Sequence, residues 1–386
     1  MTLRKVFFWM HLCAGSTAGL VVLIMSVTGV LLAYERQINA WADRGFWHAA
    51  PSASAAHLPV ETLLAATKGK LPGTPTALIL KSDRQAPAAL EFGRQRMVYL
   101  NPYTGEVLGE GSQATRTFFQ QVEQWHRFLA FSGASRATAR TVTGVANLLF
   151  FFLVCSGIYL WWPRAWTRQY LRPAVWFRGG LRGKARDWNW HNTIGIWCAI
   201  PLFFIVLSGV VMSFPWANRL LFRMTGNEAP AQQGQGGGGG GRRGGGEHRS
   251  SLDGLNALWA RAEQQEPRWR SISLRLPASR NAPVSFAIDA GDGGRPDLRS
   301  TLTLDRKTTT VVSWEPFSSF NLGRQLRSWV RFGHTGEAGG VVGETVAGLA
   351  SLGAAFLVWT GLSLALRRLA KARARQTRNA AVLVAD

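Results

Sequence analysis

Residues 187–216 read DWNWHNTIGIWCAIPLFFIVLSGVVMSFPW. Past its first few residues the stretch is apolar for long enough to cross roughly 30 Å of hydrocarbon, which takes about 20 helical residues. A titratable side chain, His191, stands at its mouth. Residues 9–35, WMHLCAGSTAGLVVLIMSVTGVLLAYE, repeat the arrangement with His11. Ionisable residues in a bilayer are costly; where they occur they face a bundle interior and mark a functional path.

Four such runs occur in the 386 residues, at about 7–34, 141–162, 191–214 and 343–366. They predict an integral membrane protein. Arg4 and Lys5 precede the first run as they would in a signal peptide. That run is too long for a signal core, however, and no A-x-A site closes it before Tyr34-Glu35-Arg36.

The chain carries 44 Lys+Arg against 22 Asp+Glu, a net charge of +22. The distribution of that charge excludes a nucleic-acid reading. Arg164, Arg168, Arg172, Arg178, Arg182, Lys184 and Arg186 crowd one inter-run segment against a single acid, Asp187. Arg367, Arg368, Lys371, Arg373, Arg375 and Arg378 follow the fourth run. With Arg4 and Lys5, these mark the cytoplasmic side under the positive-inside rule. Both termini are then expected inside and the two long segments outside, with membrane lipid as the surrounding partner. Cys13, Cys155 and Cys198 all fall in apolar runs, and no C-x-x-C occurs, so they read as small packing residues.

The chain is written twice. His11 and His191 are 180 apart, as are Gly15 and Gly195, and Thr28-Gly29 and Ser208-Gly209. Later motifs are offset by 204: VYLNPYTGEV (98–107) matches LTLDRKTTTV (302–311), and Ser156-Gly157 matches Thr360-Gly361. The glycine-rich segment 234–247 lies within the added length and reads as a flexible linker. The fold class is membrane α-helical: four transmembrane helices as two parallel repeats, each carrying a small external α+β module. The expected order is helix 7–34, module 35–120, interfacial helix 121–136, helix 138–162 and basic loop 163–188. The second half runs helix 190–214, module 215–322, interfacial helix 323–337, helix 343–366 and basic tail 367–386. Parallel repeats in a membrane are related by an axis along its normal, which sets equivalent residues facing one another at equal depth.

Of seven histidines, His48, His57 and His248 lie in polar segments and read as solvated. The other four form repeat-related pairs: His11 with His191 at the basic side, His126 with His334 at the opposite side. One histidine near an interface is ordinarily just hydrogen-bonded. Two imidazoles facing across a bundle, as each pair would provide, are what an iron porphyrin needs as axial ligands. Zinc is less natural, because neither pair has a nearby Cys or carboxylate. Gly15 and Gly195, one turn after each histidine, leave room for a flat macrocycle, or for close helix packing. Arg127 and Arg331 can pair with propionates. Trp161, Trp162, Trp188, Trp190 and Trp216 fit an interfacial aromatic belt. No catalytic side-chain constellation is present, and the absence of carboxylates beside the histidines within the runs argues against a proton-relay transporter.

HLCAGSTAGLVVLIMSVTGVLLAYE, WHRFL…GIYLWWPR, WHNTIGIW…SGVVMSFPW and HTGEAGG…TGLSLALRR resemble the four helix motifs of the PepSY-associated transmembrane proteins, and VYLNPYTGEVLG resembles the end of a PepSY module. The resemblance covers nearly the whole chain. It departs at segment 234–247 and at Asp305-Arg306-Lys307-Thr308, which replaces the usual turn of the second module. It implies a bacterial inner-membrane protein with periplasmic modules. It further implies two non-covalent b-type haems, held at the positions of His11, His126, His191 and His334. The implied activity is reduction of ferric siderophores in iron uptake, with a quinol or a cytoplasmic reductase as donor. A haem-bearing electron-transfer subunit for a separate periplasmic reductase, and a haem-free PepSY scaffold or regulator, are the alternative expectations.

Overall fold

The computed structural model describes every residue except 1, 49, 51, 53, 94, 95, 164, 231–251, 277, 278, 280, 281 and 386; side chains are described up to 377. The glycine-rich segment 234–247 and His248 lie outside the described residues. In chain order the first half contains α1 (Leu3–Leu32), α2 (Glu35–Ala42), α3 (Val60–Thr67), β1 (Ala77–Lys81), β2 (Ala88–Phe92), β3 (Arg96–Leu100), β4 (Val107–Glu110), α4 (Gln113–Phe128) and α5 (Ser135–Trp161). After α6 (Arg168–Val175) come α7 (Gly183–Ser213), α8 (Pro215–Met224), α9 (Leu255–Gln265), β5 (Ser271–Arg275), β6 (Val284–Asp289), β7 (Arg299–Leu304), β8 (Val311–Pro316), α10 (Leu322–Thr335) and α11 (Gly340–Ala385). The elements form two compact units.

The first unit comprises residues 1–34, 119–218 and 330–386. Its four long helices, α1, α5, α7 and α11, are each long and apolar enough to cross a membrane. α1 packs on α5 and α11, and α7 packs on the same two, so α1 and α7 are diagonal partners. Ala14, Ala18, Ala146, Ala350 and Ala354 are buried at the seams. Small side chains let helix backbones approach where lipid offers no hydrophobic driving force.

Several boundaries differ from the sequence expectations. α7 starts at Gly183 instead of 190, and residues 367–385 continue α11, because Arg, Lys, Ala and Leu are strong helix formers and no Gly or Pro intervenes. The basic loop holds a short helix, α6. The helix expected at 121–136 begins earlier and stops at Phe128, where Leu129 and Ala130 take left-handed φ values of 51° and 62°. Such a conformation cannot continue a right-handed helix, and the chain turns there into α5.

The second unit comprises residues 35–118 and 219–329. A small α+β module was expected in each half; the strands of both halves enter one eight-stranded antiparallel sheet, ordered β4-β3-β2-β1-β5-β6-β7-β8. The halves join at β1 and β5, with Leu78 opposite Leu274 and Ile79 opposite Ser273. One core follows, in which Leu63 of α3 and Leu258 of α9 pack with Leu78, Leu90, Leu274, Phe286 and Leu302 of the sheet. Each outer hairpin is bulged at equivalent places, Tyr99/Leu100 and Thr303/Leu304.

The turn that looked divergent does the same work in both halves. Asn101 Oδ1 accepts the Tyr103 and Thr104 amides at 2.9 and 3.3 Å. Asp305 Oδ1 accepts those of Lys307 and Thr308, each at 2.9 Å. Asp and Asn both close turns this way. The left-handed position after them is Gly105 in one turn and Thr309, at φ 56°, in the other.

Candidate functional site: two histidine pairs

The first unit brings together the four histidines in the pairs expected. His11 of α1 and His191 of α7 lie with ring centroids 6.4 Å apart and planes at 83°. His126, near the end of α4, and His334, near the end of α10, also lie 6.4 Å apart, at 64°.

Each ring is hydrogen-bonded through Nδ1 to a hydroxyl on a neighbouring helix. His11 meets Ser156 at 2.8 Å and His191 meets Thr360 at 3.0 Å. His126 meets Thr28 at 2.9 Å; His334 meets Ser208 at 3.0 Å and the Ile205 carbonyl at 2.9 Å. These bonds map onto each other under the repeat: Ser156 corresponds to Thr360, and Thr28 to Ser208. The hydroxyls' own protons go back into their helices, from Thr28 to Ile24 O, Ser156 to Leu153 O, Ser208 to Ile205 O and Thr360 to Phe356 O. Helical Ser and Thr habitually donate one turn back. A hydroxyl that has donated accepts from its other partner, so the network assigns Nδ1–H to each imidazole. Nε2 is then the unprotonated nitrogen, the one able to bind a metal.

The residue after each hydroxyl is glycine, and at three of the four positions an imidazole lies beside it, close enough to crowd a side chain only at Gly361. A Cβ on Gly29 would stand 3.6 Å from His126 Cε1, one on Gly157 3.6 Å from His11 Cε1, and one on Gly361 3.3 Å from His191 Cε1. At Gly209 the neighbour is Asn147, whose amide would be 2.9 Å from such a Cβ and which donates to Val206 O at 3.0 Å. Gly15 and Gly195, singled out from sequence, face Leu153 and Leu357 at ordinary contact distances of 3.8 and 3.6 Å. The Ser/Thr-Gly dipeptides were legible only as repeat marks. One such dipeptide follows every histidine of the two pairs, Thr28 and Ser208 by 17 residues in each case, and that was the signal that could have identified them as partners.

Other candidate residues fall differently. Arg127 pairs with Glu123 on its own helix at 2.6 Å and lies over Phe128, while Arg331 lies over Phe332. Both are exposed. Cys198 packs against the buried cluster of Val154, Leu202, Ala350 and Ala354, but Cys13 and Cys155 are exposed on the bundle surface instead of packed. His48 is exposed; His57 is half-buried against Tyr103, and that burial, with Arg84 nearby, lowers its pKa. Trp161 and Trp190 do more than line an interface. Trp161 donates to Ala174 O at 3.2 Å, and Trp190 packs on Phe177 and Trp359.

The expectation of carboxylate-free spans needs correction. Asp187 and Glu344 are each only 2% exposed within α7 and α11. Asp187 is held by Arg186 at 2.9 Å, Arg367 at 3.5 Å and the Ser363 hydroxyl at 2.7 Å. Among the described residues no group of three or more His, Cys, Asp or Glu converges on a metal-sized site, so each histidine pair stands as two ligands.

No curated protein matches the chain. Residues 8–368 match the PepSY-associated TM region. With the match spanning all four apolar helices and both histidine pairs, the chain belongs to the PepSY-associated transmembrane family.

Proposed function

We propose that this protein is a bacterial inner-membrane reductase that holds two b-type haems, one between each histidine pair, and delivers electrons to periplasmic ferric siderophores. The observation that carries the reading is the duplicated pair: two imidazoles 6.4 Å apart, twice, each with Nδ1 engaged. The donor set fits the group. Each pair would offer two imidazoles with Nε2 free, the histidine donors that a b-type haem takes. A glycine lies beside three of the four rings, and a Cβ on Gly361 would crowd His191 at 3.3 Å.

Haem supplies reversible one-electron chemistry at a potential that its ligands and surroundings tune. The chain's own residues do the rest. Thr28, Ser156, Ser208 and Thr360 fix ring orientation and tautomer, and the alanine-rich seams exclude water. The basic segments set orientation, with the His11–His191 pair at the cytoplasmic end. Reduction releases iron because the oxygen donors of a siderophore hold ferrous iron far less tightly than ferric.

The test is a reduced-minus-oxidised spectrum of detergent-purified protein from haem-replete cells, with haem counted by pyridine haemochrome. Low-spin b-type bands at about two haems per chain are expected. A colourless protein overturns the reading.

A further inference from the structure

At the basic end of the helix bundle lies a pocket of ≈ 590 Å³ that no step so far uses. Its walls are Phe177, Trp190, Ile194 and Phe356, with Arg178 and Arg186 among the polar lining and the Gly179-Gly180 backbone on one side. The loop that completes it is strapped in place. Asn189, 1% exposed, accepts the Arg178 amide at 3.0 Å and donates to Pro173 O and Trp176 O at 2.9 and 3.1 Å. Trp197 and Trp161 donate to Val175 O and Ala174 O at 2.8 and 3.2 Å. Five hydrogen bonds thus tie residues 173–178 to α5 and α7.

We propose that this pocket binds the head ring of a membrane quinol and is the place where electrons enter. As an electron entry it rests on the reductase reading above; as a binding site it does not. The lining is built for a flat ring. Phe177 stands edge-on to Trp190 at 6.3 Å, and Trp190 edge-on to Trp359 at 6.4 Å. Aromatic faces and edges set this way favour planar guests. Hydrogen-bond donors for the two ring oxygens are at hand in Arg178, Arg186 and the main chain at Gly179-Gly180, where Gly180 takes φ 75° and no side chain fills the space.

A phospholipid fits less well. Arg186 gives its charge to Asp187 at 2.9 Å and stacks over Trp190 and Trp359 at 5.5 and 5.6 Å, so it is a placed donor more than a phosphate clamp. The volume lies in the range of small-ligand sites, about 300–1,000 Å³, and would hold a ring with the start of an isoprenoid tail but not two acyl chains. The position is also apt. Trp190 precedes His191 in the chain, and Trp359 precedes Thr360, the hydroxyl that holds His191. Two lining residues, Trp190 and Ile194, thus flank His191 along α7. Oxidation of one quinol to quinone releases two electrons, which reduce two ferric siderophores to the ferrous state in turn. The two protons leave to solvent at the open mouth.

The experiment is photolabelling of the full chain in detergent with an azido-benzoquinone carrying a short isoprenoid tail, followed by peptide mapping. It is run on haem-loaded and haem-free protein, with unlabelled quinone or anionic phospholipid as competitor. Saturable label on the peptides holding Phe177–Trp190 or Phe356 is expected, competed by quinone and not by lipid. Arg178→Ala, at an exposed side chain, is expected to weaken labelling about 10-fold, as is Ile194→Trp, which fills the cavity. Label spread over the apolar helices without saturation, or label displaced by phospholipid, overturns the proposal. Saturable label at the pocket of a protein that cannot be loaded with haem sinks the reductase reading alone. Haem-loaded protein with no saturable label sinks the quinol site alone.

Discussion

At Thr360 a single hydroxyl carries two bonds of opposite sense, donating to Phe356 O and accepting from His191 Nδ1. Thr360→Val keeps the shape and removes both. A buried Nδ1–H left without an acceptor costs about 1–3 kcal/mol, and loss of such an outer-shell partner typically costs about 10–100-fold in ligand affinity. Thr360→Val is therefore expected to lose haem from the basic-end site on washing while Thr360→Ser retains it, as read by haem count and by the low-spin electron-paramagnetic-resonance signal. Equal retention in both variants would reduce the hydroxyl to packing. This partnership was hidden in the sequence because hydroxyl and ring lie 98 to 169 residues apart, although the histidines themselves were legible from their offset. Thr309 offers a second residue-scale test. A β-branched side chain at φ 56° is strained where the equivalent turn has Gly105. Thr309→Gly is expected to raise the thermal midpoint of the sheet unit by relieving roughly 1 kcal/mol, net of the backbone entropy that glycine adds to the unfolded chain. Gly105→Ala is expected to lower it, the more so because its Cβ would come within 3.2 Å of Ala66.

At the scale of elements, Asp43 ties the chain after α2 to the sheet and to the start of α4. It is 3% exposed and accepts from Ser112 N and Tyr99 OH, each at 2.8 Å, and from Arg116. Burial alone would raise its pKa, but the Arg116, Ser112 and Tyr99 bonds outweigh it and hold the carboxyl below the usual range. A carboxyl with a depressed folded pKa contributes stability that is complete above its unfolded value of about 3.9 and is lost as pH falls through the folded value. Unfolding midpoints followed by fluorescence below about pH 4 are expected to fall in the wild type. In Asp43→Asn that acid dependence is expected to be weaker and the neutral-pH stability lower by roughly 3 kcal/mol, the cost of stripping one partner from a buried pair. The strands themselves were mostly readable from alternation and turn residues. The β1–β5 join was not, because nothing local marks which strands meet when nearly two hundred residues separate them. The shared core has a consequence for cooperativity. Leu78→Ala in the first half and Leu274→Ala in the second, both at fully buried positions, are each expected to lower one common transition by about 2–5 kcal/mol. Two transitions shifting separately would mean the halves are independent modules after all.

Over the whole molecule, duplication places one histidine of every pair in each half of the chain. The levels are set by α1, which carries His11 near one end and, 17 residues later, Thr28, the anchor of His126, and by α7, which carries His191 and Ser208 in the same way. At 1.5 Å per residue that is about 25 Å along the helix, most of the thickness of a bilayer core. Repeat offsets and the basic segments made this two-level layout legible from sequence; the ring spacing and the tautomers needed coordinates, since no pattern fixes how closely two helices approach. If the levels act in series, the two ends fail differently. Because the pairs have separate hydroxyl partners, His191→Ala is expected to leave the His126–His334 pair intact and to reduce haem content from about two to about one per chain. Its remaining haem would still pass electrons from a chemical reductant to a ferric siderophore, but quinol would no longer reduce the protein. His334→Ala is expected to show the reverse: quinol reduces the haem left at the basic end, and ferric siderophore added from the opposite side of proteoliposomes does not reoxidise it. Stopped-flow absorbance on oriented vesicles separates the two half-reactions. If both variants lose the same half-reaction, the serial order is wrong and the two pairs serve one face of the membrane.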